Sequence, residues 1–299
     1  MIERRALLVM AYGTPRSLDE VEAYYTDIRR GRPPPPELLH ELIDRYRAIG
    51  GRSPLLEITS AQAEGVSGRV RIPAFVGFKH VSPFIPDAVR AMAATGVTDA
   101  IGLVLAPHYS GASIGDYERR ARQGAEDVGW TGELDVIQSW HLEPGYIELL
   151  AGRVSDSIAS LPQESRTNAV TVFTAHSLPE RILQENDPYP DQLRETAAAV
   201  AEHAGVERWT VAWQSAGHTG DPWLGPDILE VIEELAGRGV TGIVVCPCGF
   251  VADHLEVLYD IDIEARELAD KLGLTLARTA SPNDDPAFLD MLAAVVRRH

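Results

Sequence analysis

A chain of 299 residues, with 45% apolar and 24% charged side chains, has room for about two ordinary domains, each able to bury a core. Its formal net charge of −17 argues against nucleic acid and against an anionic membrane surface, both of which attract basic faces. Two cysteines are too few for a disulfide scaffold and point to a reducing, cytoplasmic compartment; no apolar run approaches the ~20 residues of a membrane span.

The chain opens with Glu3-Arg4-Arg5 ahead of an apolar run over 6–11. That run is shorter than a signal peptide's core and no small-residue cleavage pattern follows it, so it predicts a first core strand. Helical spacing follows over 18–30, 37–48 and 58–67, with Pro33–Pro36 as a stiff connector. Strand-like and helical stretches then alternate: strand 72–76, helix 85–94, strand 100–106, helix 112–126, strand 134–138 and helix 145–158. The second half repeats the alternation with strands at 169–175, 209–213, 243–246 and 274–277, helices at 190–203, 226–236 and 251–271, and a closing helix at 288–298. Such alternation is the mark of α/β architecture built from parallel βαβ units. Four strands precede residue 140, four follow 168, and the polar stretch 158–166 is the natural seam. Two domains, 1–160 and 161–299, are expected to face each other across a cleft, with the closing helix free to pack back on the first.

Several familiar signals are absent. No Gly-x-Gly-x-x-Gly opens a helix, no phosphate loop is present, and no Gly-x-Ser-x-Gly elbow occurs. Cys246-Pro247-Cys248 offers two thiolates where an iron–sulfur cluster commonly takes four ligands.

The chemistry concentrates in two stretches. The β-branched run Val170–Ala175 ends at His176, and ligands in open α/β sheets sit outside the carboxyl ends of strands. Some eighty residues later, Glu256, Asp260 and Glu264 recur every fourth residue, which on an α-helix sets three carboxylates on one face. Like charges so spaced repel unless a cation offsets them, so a histidine facing this row suggests handling of a divalent metal. A weak echo links Leu103–His108 with Val172–His176, each a strand running into a histidine. His108, His218 and His254 receive no role, the last two being read as structural or loop residues.

The chain resembles ferrochelatases, most closely the soluble bacterial branch acting on coproporphyrin III. The resemblance rests on Leu8-Val9-Met10-Ala11-Tyr12-Gly13-Thr14-Pro15, Tyr24–Arg32, Arg45–Pro54, Thr174-Ala175-His176-Ser177-Leu178-Pro179-Glu180, Trp213-Gln214-Ser215, Asp221–Asp227 and Gly249–Asp260, in the family's order from end to end. It implies two Rossmann-like domains of the chelatase fold, each a mainly parallel four-stranded sheet flanked by helices, with the porphyrin between them. It also implies Fe²⁺ as a substrate handled by His176 and Glu256, with Tyr12 as an axial ligand to product iron. Asp260 and Glu264 would form an outer cation site able to take Mg²⁺. Arg29, Arg45, Tyr46, Ser53 and Tyr117, with Tyr12, would hold the porphyrin. The cysteine count departs from members that bind a [2Fe–2S] cluster, so none is expected. Charge over Arg16–Pro36 favours a tetra-anionic porphyrin; the alternatives are protoporphyrin IX, cobalt insertion, or a porphyrin carrier without turnover. Transient contact with neighbouring haem-pathway enzymes is a further expectation.

Overall fold

The computed structural model describes residues 5–217 and 220–299, so the charged start Glu3-Arg4 and His218 lie outside the described residues. In chain order the first half contains β1 (Arg5–Ala11), α1 (Val21–Ile28), α2 (Pro36–Ala48), α3 (Leu55–Val70), β2 (Ala74–Phe78), α4 (Ile85–Ala94), β3 (Asp99–Val104), α5 (Ile114–Asp127) and β4 (Glu133–Val136). The second half contains α6 (Pro144–Ser160), α7 (Gln163–Arg166), β5 (Val170–His176), α8 (Tyr189–Ala204), β6 (Trp209–Gln214), α9 (Ile228–Gly237), β7 (Gly242–Cys246), α10 (Leu255–Leu258), α11 (Arg266–Lys271), β8 (Thr275–Arg278) and α12 (Pro286–Arg297). All eight expected strands are present, shifted by at most two residues at most ends.

The strands form two parallel four-stranded sheets, ordered β2-β1-β3-β4 and β6-β5-β7-β8. The two orders are the same, and β1 corresponds to β5. Each is an inner strand flanked on its two sides by the next two strands of the chain, the switch point where open α/β sheets leave a crevice. This topology corrects the expected echo. His176 ends β5, so its counterpart is Tyr12 directly after β1; His108, after β3, corresponds to the Cys248–Phe250 turn after β7.

Strand alternation divides the core. From β1, Ala6, Leu8 and Met10 pack beneath α4 and α5, whereas Leu7 and Val9 point the other way. That second face joins Phe173 and Ala175 of β5 and residues of α3, α6, α8 and α12 in one continuous apolar cluster serving both sheets. The outer face of the second sheet is covered by α9 and by the helical segment after β7. The terminal helix α12 reaches across to α3: Leu289 packs against Gly65, and Arg69 Nε donates to Asp290 Oδ1 at 2.5 Å.

Two expected helices differ. The first turn of 18–30 is a short 3-10 segment at Leu18–Glu20. The expected continuous helix over 251–271 is broken: α10 is one turn, Asp260–Ala265 is π-helical, and α11 follows. The Tyr259 carbonyl accepts from Glu264 N at 2.9 Å, an i→i+5 bond that widens the turn. Among the described residues no helix is long and apolar enough to cross a membrane.

The end of β5 is held close to the turn after β7. Gly249 N donates to Thr174 O at 2.9 Å, and a Cβ on Gly249 would sit 2.5 Å from Ala175 Cβ and 2.7 Å from its Cα. Gly249→Ala is therefore expected to destabilise the protein by about 1–3 kcal/mol through overpacking, read as a lower thermal midpoint. An unchanged midpoint would show that these two chain segments part without cost.

Candidate active site

Two connected cavities open at the strand ends. An inner one of about 320 Å³ is largely apolar and lies between Tyr12, Tyr117 and the α3 face on one side and His176, Tyr189 and Gly249–Ala252 on the other. An outer one of about 290 Å³ carries Glu41, Asp227, Asp260 and Glu264. Tyr12, Tyr24, Leu255 and Glu256 line both and mark where they meet.

Glu256, at the start of α10, stands between two histidines. His176 Nε2 lies 3.6 Å from Oε1, and His254 Nε2 lies 3.4 Å from Oε2. His176 Nδ1 bonds the Ser177 carbonyl and His254 Nδ1 donates to Ala252 O at 2.9 Å, so each ring turns Nε2 toward the carboxylate. Burial works against the Glu256 charge, but the positive potential of His176 and the bond to His254 outweigh it and lower the carboxyl to about 2. For His254 burial disfavours the cation, and Glu256 overrides it, raising the imidazole. Gln214, fully buried on β6, ties the pieces together: its Oε1 accepts from Thr174 Oγ1 at 2.8 Å and its Nε2 donates to Glu256 O at 2.9 Å.

Tyr12 is 38% exposed into the cleft. Desolvation there and the Glu256 carboxylate raise its phenol, which stays protonated at neutral pH. Its ring packs on His80 at 4.6 Å between centroids, and His80 Nδ1 meets Asp27 Oδ2 at 2.7 Å. Burial lowers His80 to about 4 despite Asp27. Lys79 Nζ pairs with Asp116 at 2.8 Å and lies 5.2 Å from the centre of the Tyr117 ring.

The expected porphyrin residues separate into groups. Tyr46, Ser53 and Tyr117 line the inner cavity with Tyr12, and Tyr46 Oη shares a 2.8 Å hydrogen bond with Thr14 Oγ1. Arg45 lines the outer cavity. Arg29 lines neither; its guanidinium lies 5.8 Å from the centre of the Tyr25 ring, and its Nε is buried without a partner. The acidic row is not a free face. Arg45 stands 3.6 Å from both Asp260 and Glu264 and 4.6 Å from the centre of the Tyr259 ring. Asp260 is buried, accepts from Ser215 Oγ at 2.5 Å, and has its carboxyl raised to about 6 by burial, with Ser215 and Arg45 opposing. Among the described residues no group of three or more His, Cys, Asp or Glu side chains is arranged to hold a metal ion.

Sequence reasoning passed over His254, Lys79, His80 and the role of Gln214. The strand-end rule offered a signal for two of them, because Lys79-His80 directly follow β2, the neighbour of β1.

The two parallel sheets, of the same strand order, thus leave a histidine–carboxylate pair at their shared crevice. SirB from Bacillus subtilis with Fe³⁺ superimposes with a TM-score of 0.62 at 14% identity, covering 99% of this chain and 95% of that one, a likeness of fold alone. The ferrochelatase family model matches residues 4–299, and the chain belongs to that family. Three relatives described as coproporphyrin III ferrochelatase are similar over nearly their whole length. That of Bacillus subtilis is 46% identical over 98% of this chain and 97% of its own, and that of Geobacillus thermodenitrificans 48% over 97% and 94%. That of Listeria monocytogenes is 45% identical over 99% and 98%.

The Asp260 environment has a measurable consequence. Folded, this carboxyl holds its proton up to about pH 6, against 3.8 for an ordinary aspartate. The folded state binds more protons between those values, so this group's contribution to stability falls as pH rises through that window. Asp260→Asn is expected to be more stable than the native chain at about pH 8, the difference closing by about pH 4, as followed by urea unfolding. A difference that grows on acidification would show Asp260 to be ionised and favourably paired.

Proposed function

We infer that this chain is a coproporphyrin III ferrochelatase, inserting Fe²⁺ into coproporphyrin III to give coprohaem and two protons in haem synthesis. The observation that carries the reading is the meeting of Tyr12 and His176, from equivalent strands of the two sheets, on one cavity beside an ionised Glu256. The identity of 45–48% to relatives of that description supports the choice of substrate.

Metallation must strip water from Fe²⁺ and remove two protons from pyrrole nitrogens. An imidazole nitrogen is a borderline ligand that suits Fe²⁺ and can take up a pyrrole proton, and His176 Nε2, turned into the cleft beside Glu256, is placed for both. Glu256, held as an anion between the two imidazoles, offsets the charge arriving with the metal and the positive charge that develops on His176 as it takes up a pyrrole proton. Tyr12, neutral and held by His80, suits the opposite ring face as axial ligand to product iron. Tyr46, Ser53 and Tyr117 suit the ring edge, and Arg45 suits a propionate through a charge-assisted bond. Arg29 joins that role only by leaving Tyr25. The outer cavity, with its carboxylates, is the favoured approach for Fe²⁺. A divalent cation such as Mg²⁺ at Asp260 and Glu264 must displace the Arg45 guanidinium. The reading places the enzyme in the cytoplasm, without an iron–sulfur cluster, and in passing contact with other haem-pathway enzymes.

Anaerobic Fe²⁺ insertion followed by absorbance, with coproporphyrin III and protoporphyrin IX at equal concentration, is expected to favour coproporphyrin III. Preference for protoporphyrin IX would leave the chelatase and overturn the propionate assignments. His176→Ala is expected to lower kcat by at least ~100-fold while porphyrin binding, followed by fluorescence quenching, changes little. Normal turnover in that variant would remove His176 from the centre, and binding without turnover in the native chain would mark a carrier.

A further inference from the structure

The segment that carries Glu256 has little regular helix to hold it in place. His254 is extended, α10 is four residues long, and the π-helical turn follows. A helix that short leaves most of its backbone groups without partners of its own, so the place of Glu256 is set from outside the segment. Gln214, on the edge strand β6, holds its carbonyl. At the opposite edge of the same sheet the last residue of β8 is Arg278. Its guanidinium is divided between the two ends of the segment. Nε donates to Asp262 Oδ1 at 2.8 Å and Nη2 to Asp262 Oδ2 at 2.9 Å, a bidentate pair. Nη1 turns to Asp253 Oδ1 at 3.3 Å, Thr279 O at 3.1 Å and Ser281 Oγ at 3.3 Å.

Asp253 directly precedes His254, and Asp262 lies in the π-helical turn, so one side chain spans both boundaries of the stretch holding His254, Glu256 and Asp260. Asp253 is locked further. Its Oδ1 accepts from Ser281 Oγ at 2.7 Å, its Oδ2 from Asn283 Nδ2 at 2.9 Å, and its N donates to Asn283 Oδ1 at 2.8 Å. Burial disfavours the Arg278 cation, and the Asp262 and Asp253 carboxylates outweigh it, holding the guanidinium above its ordinary range. The neighbouring Arg266 is no substitute, because its Nη2 stands 3.8 Å from one Asp262 oxygen. Arg278, Asp253 and Asp262 line neither cavity, so anything they do for the reaction passes through the residues between them. Resting on the ferrochelatase reading above, we propose that Arg278 is a positioning residue, bracing Asp253 and Asp262 so that Glu256 and His254 keep their places against His176. The tolerance is small: displacing a reacting group by about 1 Å can cost ~100-fold in rate.

The test compares Arg278→Met, which keeps the stem and removes the fork, with Arg278→Lys, which keeps the charge but has no fork to share between two aspartates. The control is Arg69→Met, which removes the ion pair between α3 and α12 away from both cavities. Rates with Fe²⁺ and coproporphyrin III are taken well below each variant's thermal midpoint. Arg278→Met is expected to lower kcat roughly ten- to hundred-fold, while the porphyrin dissociation constant, followed by fluorescence quenching, stays at the native value. Arg278→Lys is expected to recover part of that loss, and Arg69→Met to lower the midpoint and leave kcat unchanged. Native kcat in Arg278→Met, an equal loss in Arg69→Met, or porphyrin affinity falling in step with kcat overturns the proposal and leaves Arg278 a staple of the fold. Should Arg278→Met fail to fold, the isosteric Asp262→Asn carries the same expectation from the other side of the pair. A native chain that prefers protoporphyrin IX overturns the substrate reading alone, and the comparison is then read on that porphyrin.

Discussion

An ionised carboxylate between two imidazoles is the interaction on which the site depends. Glu256 lies within 3.6 Å of His176 and 3.4 Å of His254, and those contacts overcome the desolvation that would otherwise neutralise it. Much of the surrounding architecture keeps that triad in place. Gln214 holds the Glu256 backbone from β6, the Tyr189 hydroxyl donates to His176 O at 3.0 Å, and Gly249 lets the loop leading to His254 lie against β5. A negative charge so fixed attracts a cation from the acid-lined outer cavity without waiting for the protein to rearrange.

The same electrostatics explain the π-helical turn after Tyr259. In an α-helix, Glu256, Asp260 and Glu264 would share one face and repel. The wider turn places Asp260 in the interior against Ser215, leaves Glu264 half-buried, and makes room for Arg45 between them. Ser215 takes a left-handed backbone conformation, φ 61°, to present its hydroxyl. A strained residue and an irregular helical turn thus meet at the outer cavity, where such features concentrate in enzymes.

Most of the frame was legible in the sequence because it follows local pattern. The runs Ala6–Ala11, Val170–Ala175 and Ile243–Cys246 are buried parallel strands, rich in the aliphatic side chains such strands require. His176 was legible because it ends one of them. The π-helical turn was not, since a four-residue spacing of carboxylates reads the same whether the backbone bonds i→i+4 or i→i+5. Arg45 as the cation within the acidic row depends on residues more than two hundred positions apart, which no local pattern carries. Arg29 shows the reverse limit: motif and charge both pointed to the ligand, and the structure lays its side chain beside Tyr25. His254 looked like a loop residue because its partner, two positions on, acquires its significance only from His176 on another strand.

The apolar cluster common to both sheets has a mechanical consequence. Domain closure by a hinge needs two bodies joined by few contacts, and here α12 crosses to α3 and Leu7, Val9, Phe173 and Ala175 share one packed interior. The crevice therefore behaves as a vice with fixed jaws rather than a mouth that shuts. Close-packed interiors deform little under load, so a flexible macrocycle pressed between stiff walls takes up the misfit itself. On the proposed reaction, stiffness far from the metal would supply the force that bends the ring.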